Sequence, residues 1–357
     1  MKKAFKILLG VLLVLLMLLA ANGCGGQQAD DKKEAAQEQK QEGKKIVVRF
    51  SHSLPEKHPR SLQFQEWADL ATKKAAGTLE VQIYPAAQLY KDVDVVEAVT
   101  VGGIESGLLY SFILEKMIPQ FQVLSVPFLF DNNTDLLYGF LSNLETKERL
   151  CAAMEKKGIK PIAWILEPHE GFGIMWTKEV KVPADARGLT VRAIGPPQVA
   201  FYKKWGANPS FLSGAELYMA LQRGVIQGAY GAVTAVVERK LYEVAPYYTL
   251  LPIGTVASVI GMNKSFFDKL SPQLQQAILD AGKEVESKTV ARAKADWEVT
   301  LKEAQEKGIK IYQPTPEEMK LWMGDVEKTW QEIYKDDPQV LADIEEVLQL
   351  KAKYKNP

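Results

Sequence analysis

The chain is poor in the residues from which reactive and metal centres are usually built. Its 357 residues contain two cysteines, Cys24 and Cys151, and three histidines. Two cysteines permit one disulfide at most, and none if Cys24 is consumed in processing. Cys151 falls in a helical-looking stretch over 145–157, where a lone thiol behaves as a small buried apolar side chain. His52, His58 and His169 do not stand at metal-ligand spacing, so neither a metal nor another cofactor is expected. No GxSxG, phosphate-binding loop or HExxH occurs, and Gly171-Phe172-Gly173 lacks the third glycine and following helix of a dinucleotide fingerprint. Carboxylates are plentiful, but without a nucleophile–base pattern they read as solvated helix faces, and an enzyme is not expected. The formal charge is zero, and no basic run appears beyond the first residues and the segment near Lys44. Nothing here gives the electrostatic footprint of a nucleic-acid partner.

Long apolar runs are also scarce. The main one, over 7–21, follows Lys2, Lys3 and Lys6 and is short for a membrane span. It ends at Ala21-Asn22-Gly23-Cys24, so residues 1–23 read as a lipoprotein-type signal peptide that leaves Cys24 as a lipidated first residue. Ala21 and Asn22 depart from the preferred letters of that signal, which leaves ordinary cleavage or an uncleaved anchor as alternatives. Residues 24–45 form a flexible tether. From 25 onward it carries no aromatic or branched apolar residue and cannot bury enough surface to offset its ordering entropy. What remains, roughly 310 residues, suffices for two lobes of ordinary size.

That remainder alternates between short β-type runs and helical patterns. Ile46-Val47-Val48-Arg49-Phe50 reads as a strand. A helix carrying Leu62, Phe64, Trp67 and Leu70 follows and stops near Gly77. Leu79 to Tyr84 alternates as a second strand, a helix over 93–101 stops at Gly102-Gly103, and Ser106 to Leu109 begins a third. The repeated β–α–β order implies an α/β fold. Between 274 and 306 runs a long, charged helical pattern without evident caps. Helical spacing returns after Tyr312 with Met319, Trp322 and Trp330, and 341–357 reads as a mobile C-terminal tail.

The most informative stretch is 182–228. Leu189-Thr190-Val191 is a β-type run that ends on a cation, Arg192, and Gly195-Pro196-Pro197 stops it and starts a helix. Ser213 stands three residues before Glu216 as a capping box, and Gly224 closes the helix that holds Leu217 and Leu221. An arginine at the carboxyl end of a strand in an open α/β sheet stands where ligands sit. From the residues alone it is either an anion anchor or a member of a surface ion pair.

The letters around it, Asp185-Ala186-Arg187-Gly188-Leu189-Thr190-Val191-Arg192 through Gln222-Arg223-Gly224-Val225-Ile226-Gln227-Gly228, resemble the DctP-type solute-binding subunit of tripartite ATP-independent periplasmic (TRAP) transporters. Pro85-Ala86-Ala87-Gln88-Leu89 and Val126-Pro127-Phe128-Leu129-Phe130 are similar to the family's PxxQL and LPFLF elements, and the resemblance spans about 46–335. It implies a two-lobed, periplasmic-binding-protein-like (Venus flytrap) α/β fold with a long helix crossing both lobes. Lobe 1 is expected over 46–169 plus about 257–296, and lobe 2 over 170–256 plus about 297–340. The family's carboxylate-gripping arginine matches Arg192, whose planar fork pairs bidentately with carboxylate.

Further positions follow from the same resemblance. Where sialic-acid-binding members carry a second arginine this chain has Phe172, and Tyr230 stands in place of their Asn-containing turn. Tyr110 occupies the position of a carboxylate, and Ser53 that of an asparagine. The implied ligand-binding set is Arg192, Phe172, Tyr110, Tyr230, Ser53 and His52, giving one carboxylate anchor in an aromatic pocket. The expected ligand is a small monocarboxylate with an apolar or aromatic body. A C4-dicarboxylate, its second carboxylate met by backbone N–H groups or His52, is the alternative. Hinge closure would bury the ligand and present the closed form to the TRAP membrane subunits outside the cytoplasm. A ligand-dependent sensor partner of a membrane receptor would look the same in sequence.

Overall fold

The computed structural model describes residues 45–355; the signal peptide, Cys24 and nearly all of the tether lie outside the described residues. Two mixed sheets organise the chain. The first contains β1 (Ile46–Ser51), β2 (Leu79–Tyr84), β3 (Ser106–Tyr110), β4 (Ile159–Leu166) and β10 (Ala257–Asn263), in the order β2-β1-β3-β10-β4. The second contains β5 (Phe172–Trp176), β6 (Thr190–Ala193), β7 (Asn208–Phe211), β8 (Gly228–Ala232), β9 (Tyr247–Leu250) and β11 (Lys310–Tyr312), in the order β11-β9-β5-β8-β6-β7. β1 buries Val48 and Phe50 and β2 buries Leu79 and Val81, the alternation of edge-side strands covered on one face. β3 and β10 are buried at every position, as central strands covered on both faces are.

The chain passes between the sheets through Glu167–Gly171, which joins β4 to β5, and again through 251–256, which returns β9 to β10. His169 ties these two crossings together. Its Nε2 accepts the Val256 N–H at 3.3 Å, so the ring proton sits on Nδ1, 2.9 Å from the Glu167 carbonyl that accepts it. Burial pulls His169 down to about 3, which keeps it neutral in that tautomer. A third crossing is the helix Thr289–Glu306. Thr289 Oγ1 accepts the Leu166 N–H at the first sheet, while Ala304 packs into the core beneath the second.

Three expectations are corrected. The helical pattern over 274–306 is two helices, Pro272–Glu286 and Thr289–Glu306. Ser287 hydrogen-bonds back to the Glu284 carbonyl at 2.7 Å where they part, a bond that competes with the helical ladder. The first of the pair also has a cap, Ser271 accepting the Leu274 N–H. The expected tail is helical as far as the structure describes it, since Pro338–Lys355 is a helix that buries Val340, Ile344 and Val347. That helix is pinned by Arg149–Asp343 at 2.7 Å and Lys351–Asp131 at 2.6 Å. Cys151 is half-buried rather than buried. Among the described residues no helix is long and apolar enough to cross a membrane, and no group of side chains could hold a metal ion.

Candidate functional site

β6 lies between β7 and β8 and runs parallel to both, so its carboxyl end opens beside the carboxyl ends of its neighbours. Gly195, extended, and Pro196 at the first helical position end the strand and begin the helix Pro196–Lys204. Arg192 is thereby placed facing a small cavity of about 70 Å³ lined from both sheets. Its guanidinium is splinted by the strand ends beside it. Nε donates to the Leu212 carbonyl just past β7 at 3.1 Å, and Nη1 donates to the Tyr230 carbonyl in β8 at 2.9 Å. Nη2 has no hydrogen bond, and Arg192 has no ion pair, among the described residues. Burial pulls Arg192 down to about 10; Asp92 opposes that shift and the nearby cation Arg239 adds to it. The side chain is 6 % exposed, so an oriented cation waits here without a counter-ion.

The cavity wall is aromatic. Phe172 and Tyr230, on the antiparallel neighbours β5 and β8, have ring centroids 5.7 Å apart. The Tyr230 hydroxyl donates to the Gly254 carbonyl on the return crossing. From the end of β3 and the short helix Ser111–Leu114 after it come Tyr110 and Phe112, stacked at 5.2 Å, with Phe112 lying 6.0 Å from the Arg192 guanidinium. Both Phe172 and Tyr230 are buried, and both line this cavity.

Two of the six expected residues are elsewhere. His52 and Ser53 are buried but do not line the cavity; Leu54, the next residue, does. The His52 ring packs against Phe50 and Phe64 at 5.9 and 5.1 Å, and burial pulls it down to about 4. Neither ring nitrogen of His52 has a hydrogen-bond partner among the described residues.

Charged residues that sequence reasoning missed also line the cavity, and they correct the expectation of a single cation. Arg60, near the start of the helix Pro59–Lys74, donates to Ser258 Oγ at 2.8 Å and pairs with Glu167. Its Nε has no partner among the described residues. The Arg239 guanidinium, at the end of the helix Val233–Glu238, has neither a hydrogen bond nor an ion pair among the described residues. It occupies the space over Gly214, where an added Cβ would stand 2.4 Å from Arg239 Nη1. Asp92 reaches in from the turn before the helix Val95–Val101. Three arginines against Asp92 and Glu167 leave the lining with one excess positive charge.

A second opening of about 230 Å³ adjoins the cavity and shares Phe112, Arg192 and Ile194 with it. Arg192 therefore faces both spaces.

Comparison with known proteins agrees with this architecture. Residues 50–337 match the DctP family, described as bacterial extracellular solute-binding protein, family 7. The C4-dicarboxylate-binding periplasmic protein DctP of Vibrio cholerae is 28 % identical over 295 residues, covering 82 % of this chain and 87 % of that protein. A TRAP periplasmic solute-binding protein from Sulfurospirillum deleyianum, solved with bound succinate, superposes with a TM-score of 0.79 at 26 % identity, covering 86 % of this chain and 99 % of the other. A Bordetella pertussis solute receptor solved with pyroglutamic acid shares the fold, with a TM-score of 0.77 at 22 % identity over 84 % of this chain and 99 % of its own.

Proposed function

Because the chain belongs to the bacterial extracellular solute-binding proteins of family 7, the DctP family of TRAP transport systems, we propose that it captures a compact organic carboxylate at Arg192. The observation that carries this reading is the buried Arg192 guanidinium, oriented by two carbonyls and lacking an ion pair. A carboxylate would supply the missing charge and accept from Nη2.

The ligand class follows from the walls. Tyr110, Phe112, Phe172 and Tyr230 favour a monocarboxylate with an apolar or aromatic body. The small size of the cavity, about 70 Å³, favours a compact acid over one of hexose size. The unpaired Arg239 supports a second reading, a short dicarboxylate spanning the two guanidiniums. Succinate in the Sulfurospirillum deleyianum protein is of that class.

In this reading, closure of the two lobes buries the acid, and the closed form delivers it to the TRAP membrane subunits. Arg192 in the second lobe and Phe112 in the first supply contacts that exist together only when closed, as a ligand-driven population shift requires. Cys24 would tether the protein to the membrane through lipid.

A thermal-shift panel of mono- and dicarboxylates tests the proposal. An acid at a hundredfold its dissociation constant should add about 2.7 kcal/mol of stability. Stabilisation by branched or aromatic monocarboxylates supports the aromatic pocket, and stabilisation by succinate alone transfers the assignment to the dicarboxylate. No shift with any carboxylate would sink the assignment to Arg192.

A further inference from the structure

Across the cavity from Arg192, the first lobe sends the dipeptide Lys91-Asp92 into the second. Asp92 Oδ1 accepts from Ser213 Oγ at 2.5 Å, and Oδ2 accepts the Gly214 N–H at 3.2 Å. Lys91 Nζ lies 3.1 Å from Glu216 Oε1. Ser213 and Glu216 are the two ends of one capping box, with Glu216 Oε2 accepting the Ser213 N–H. Each residue of the dipeptide therefore holds one end of that box.

The segment being held is the one that organises the anion-binding cations. The Leu212 carbonyl orients Arg192 Nε, and Gly214 provides the space occupied by Arg239. Asp92 is 4 % exposed, and its two acceptor bonds are of the strong, charge-assisted kind. Lys91 and Glu216 are about half exposed, and such a pair contributes little by itself.

We propose that Asp92 is a positioning residue, a latch by which the first lobe fixes the Leu212–Gly214 segment and so sets the Arg192 and Arg239 guanidiniums when the lobes meet. It rests on lobe closure but not on the identity of the ligand. Losing the latch lets the segment move, and the splint on Arg192 moves with it, although Asp92 does not touch Arg192 in a hydrogen bond or ion pair.

The test is hydrogen exchange of the full-length protein, with and without millimolar succinate as probe, comparing wild type with Asp92→Ala and Asp92→Asn. Asp92→Ala should speed exchange in a peptide covering 210–216 about tenfold or more, the scale of losing hydrogen bonds to a charged group. Peptides from 79–84 and 306–312 should be unchanged, and Asp92→Asn, which keeps one acceptor, should fall between. Equal exchange at 210–216 in wild type and Asp92→Ala under both conditions overturns the latch, as does a rise spread evenly over the chain. Exchange at 210–216 reports the latch and not the contact between acid and Arg192, so its failure is distinguishable from failure of the carboxylate assignment, which Arg192→Ala tests.

Discussion

Replacing Arg192 by alanine removes the one guanidinium whose donors are already committed to the ends of β7 and β8. Two consequences follow, and they separate. For binding, the loss is that of one partner in a buried, hydrogen-bonded charge pair, about 3–5 kcal/mol. That corresponds to a dissociation constant weakened by about 10²–10⁴-fold. For folding, the Leu212 and Tyr230 carbonyls lose their donors, at about 1–3 kcal/mol each when buried. This is offset by removing a cation that burial disfavours, and by water entering the vacated space. The melting temperature without ligand should therefore move little, while calorimetric titration with the stabilising acid should show no measurable heat of binding. Arg192→Lys sharpens the test. It keeps the charge, but an ammonium cannot serve both carbonyls and a carboxylate in one plane, so affinity should fall at least about tenfold. A folded Arg192→Ala protein that binds within threefold of wild type would refute the reasoning.

Arg239→Ala separates the two ligand classes. It should leave monocarboxylate binding within a few-fold, but weaken a dicarboxylate by about tenfold or more, as expected of a charge-assisted hydrogen bond; calorimetry on both classes decides. Gly173→Ala should destabilise by about 1–3 kcal/mol or more in chemical denaturation, because its Cβ would stand 2.1 Å from the Thr249 carbonyl, which the β5–β9 pairing holds in place; unchanged stability would contradict that packing. Glu115 is buried, with Ser125 donating to one oxygen, and burial raises its carboxyl from 4.5 to about 8. Its charged form is therefore disfavoured in the fold, and its contribution is fully present below about pH 4.5 and lost as pH rises through about 8. Glu115→Gln should accordingly gain on wild type by up to about 1.4 kcal/mol per pH unit across that window, measured by denaturation at several pH values; a pH-independent difference would exclude this origin.

Arg192 was legible because its signals are local. A β-type run ends on it, Gly195-Pro196-Pro197 terminates the strand, and Ser213-x-x-Glu216 caps the next turn; each is a preference of neighbouring residues acting through backbone sterics and short hydrogen bonds. The first three strands and the helix stops at Gly77, Gly102 and Gly224 were legible for the same reason, with all three glycines in the left-handed region. The terminal helix was misread although Val340, Ile344 and Val347 already have helical spacing, because its charged composition hides how firmly Asp343 and Lys351 tie it down.

By itself, then, the sequence determined the α/β alternation, the strand that carries Arg192 and the turns that follow it, all of which depend on residues within one or two turns of chain. Only the tertiary structure decided which other charges share the cavity. Arg60 comes from the first helix, Asp92 from a turn and Arg239 from a helix end in the other lobe, and nothing in their local letters marks them. The same holds for the exclusion of His52 and Ser53, which immediately precede the lining residue Leu54 yet are buried outside the cavity. Membership of an inter-lobe site is set by where the chain crosses between two sheets, at Glu167–Gly171 and 251–256, and long-range placement of that kind leaves no periodicity for a sequence to display.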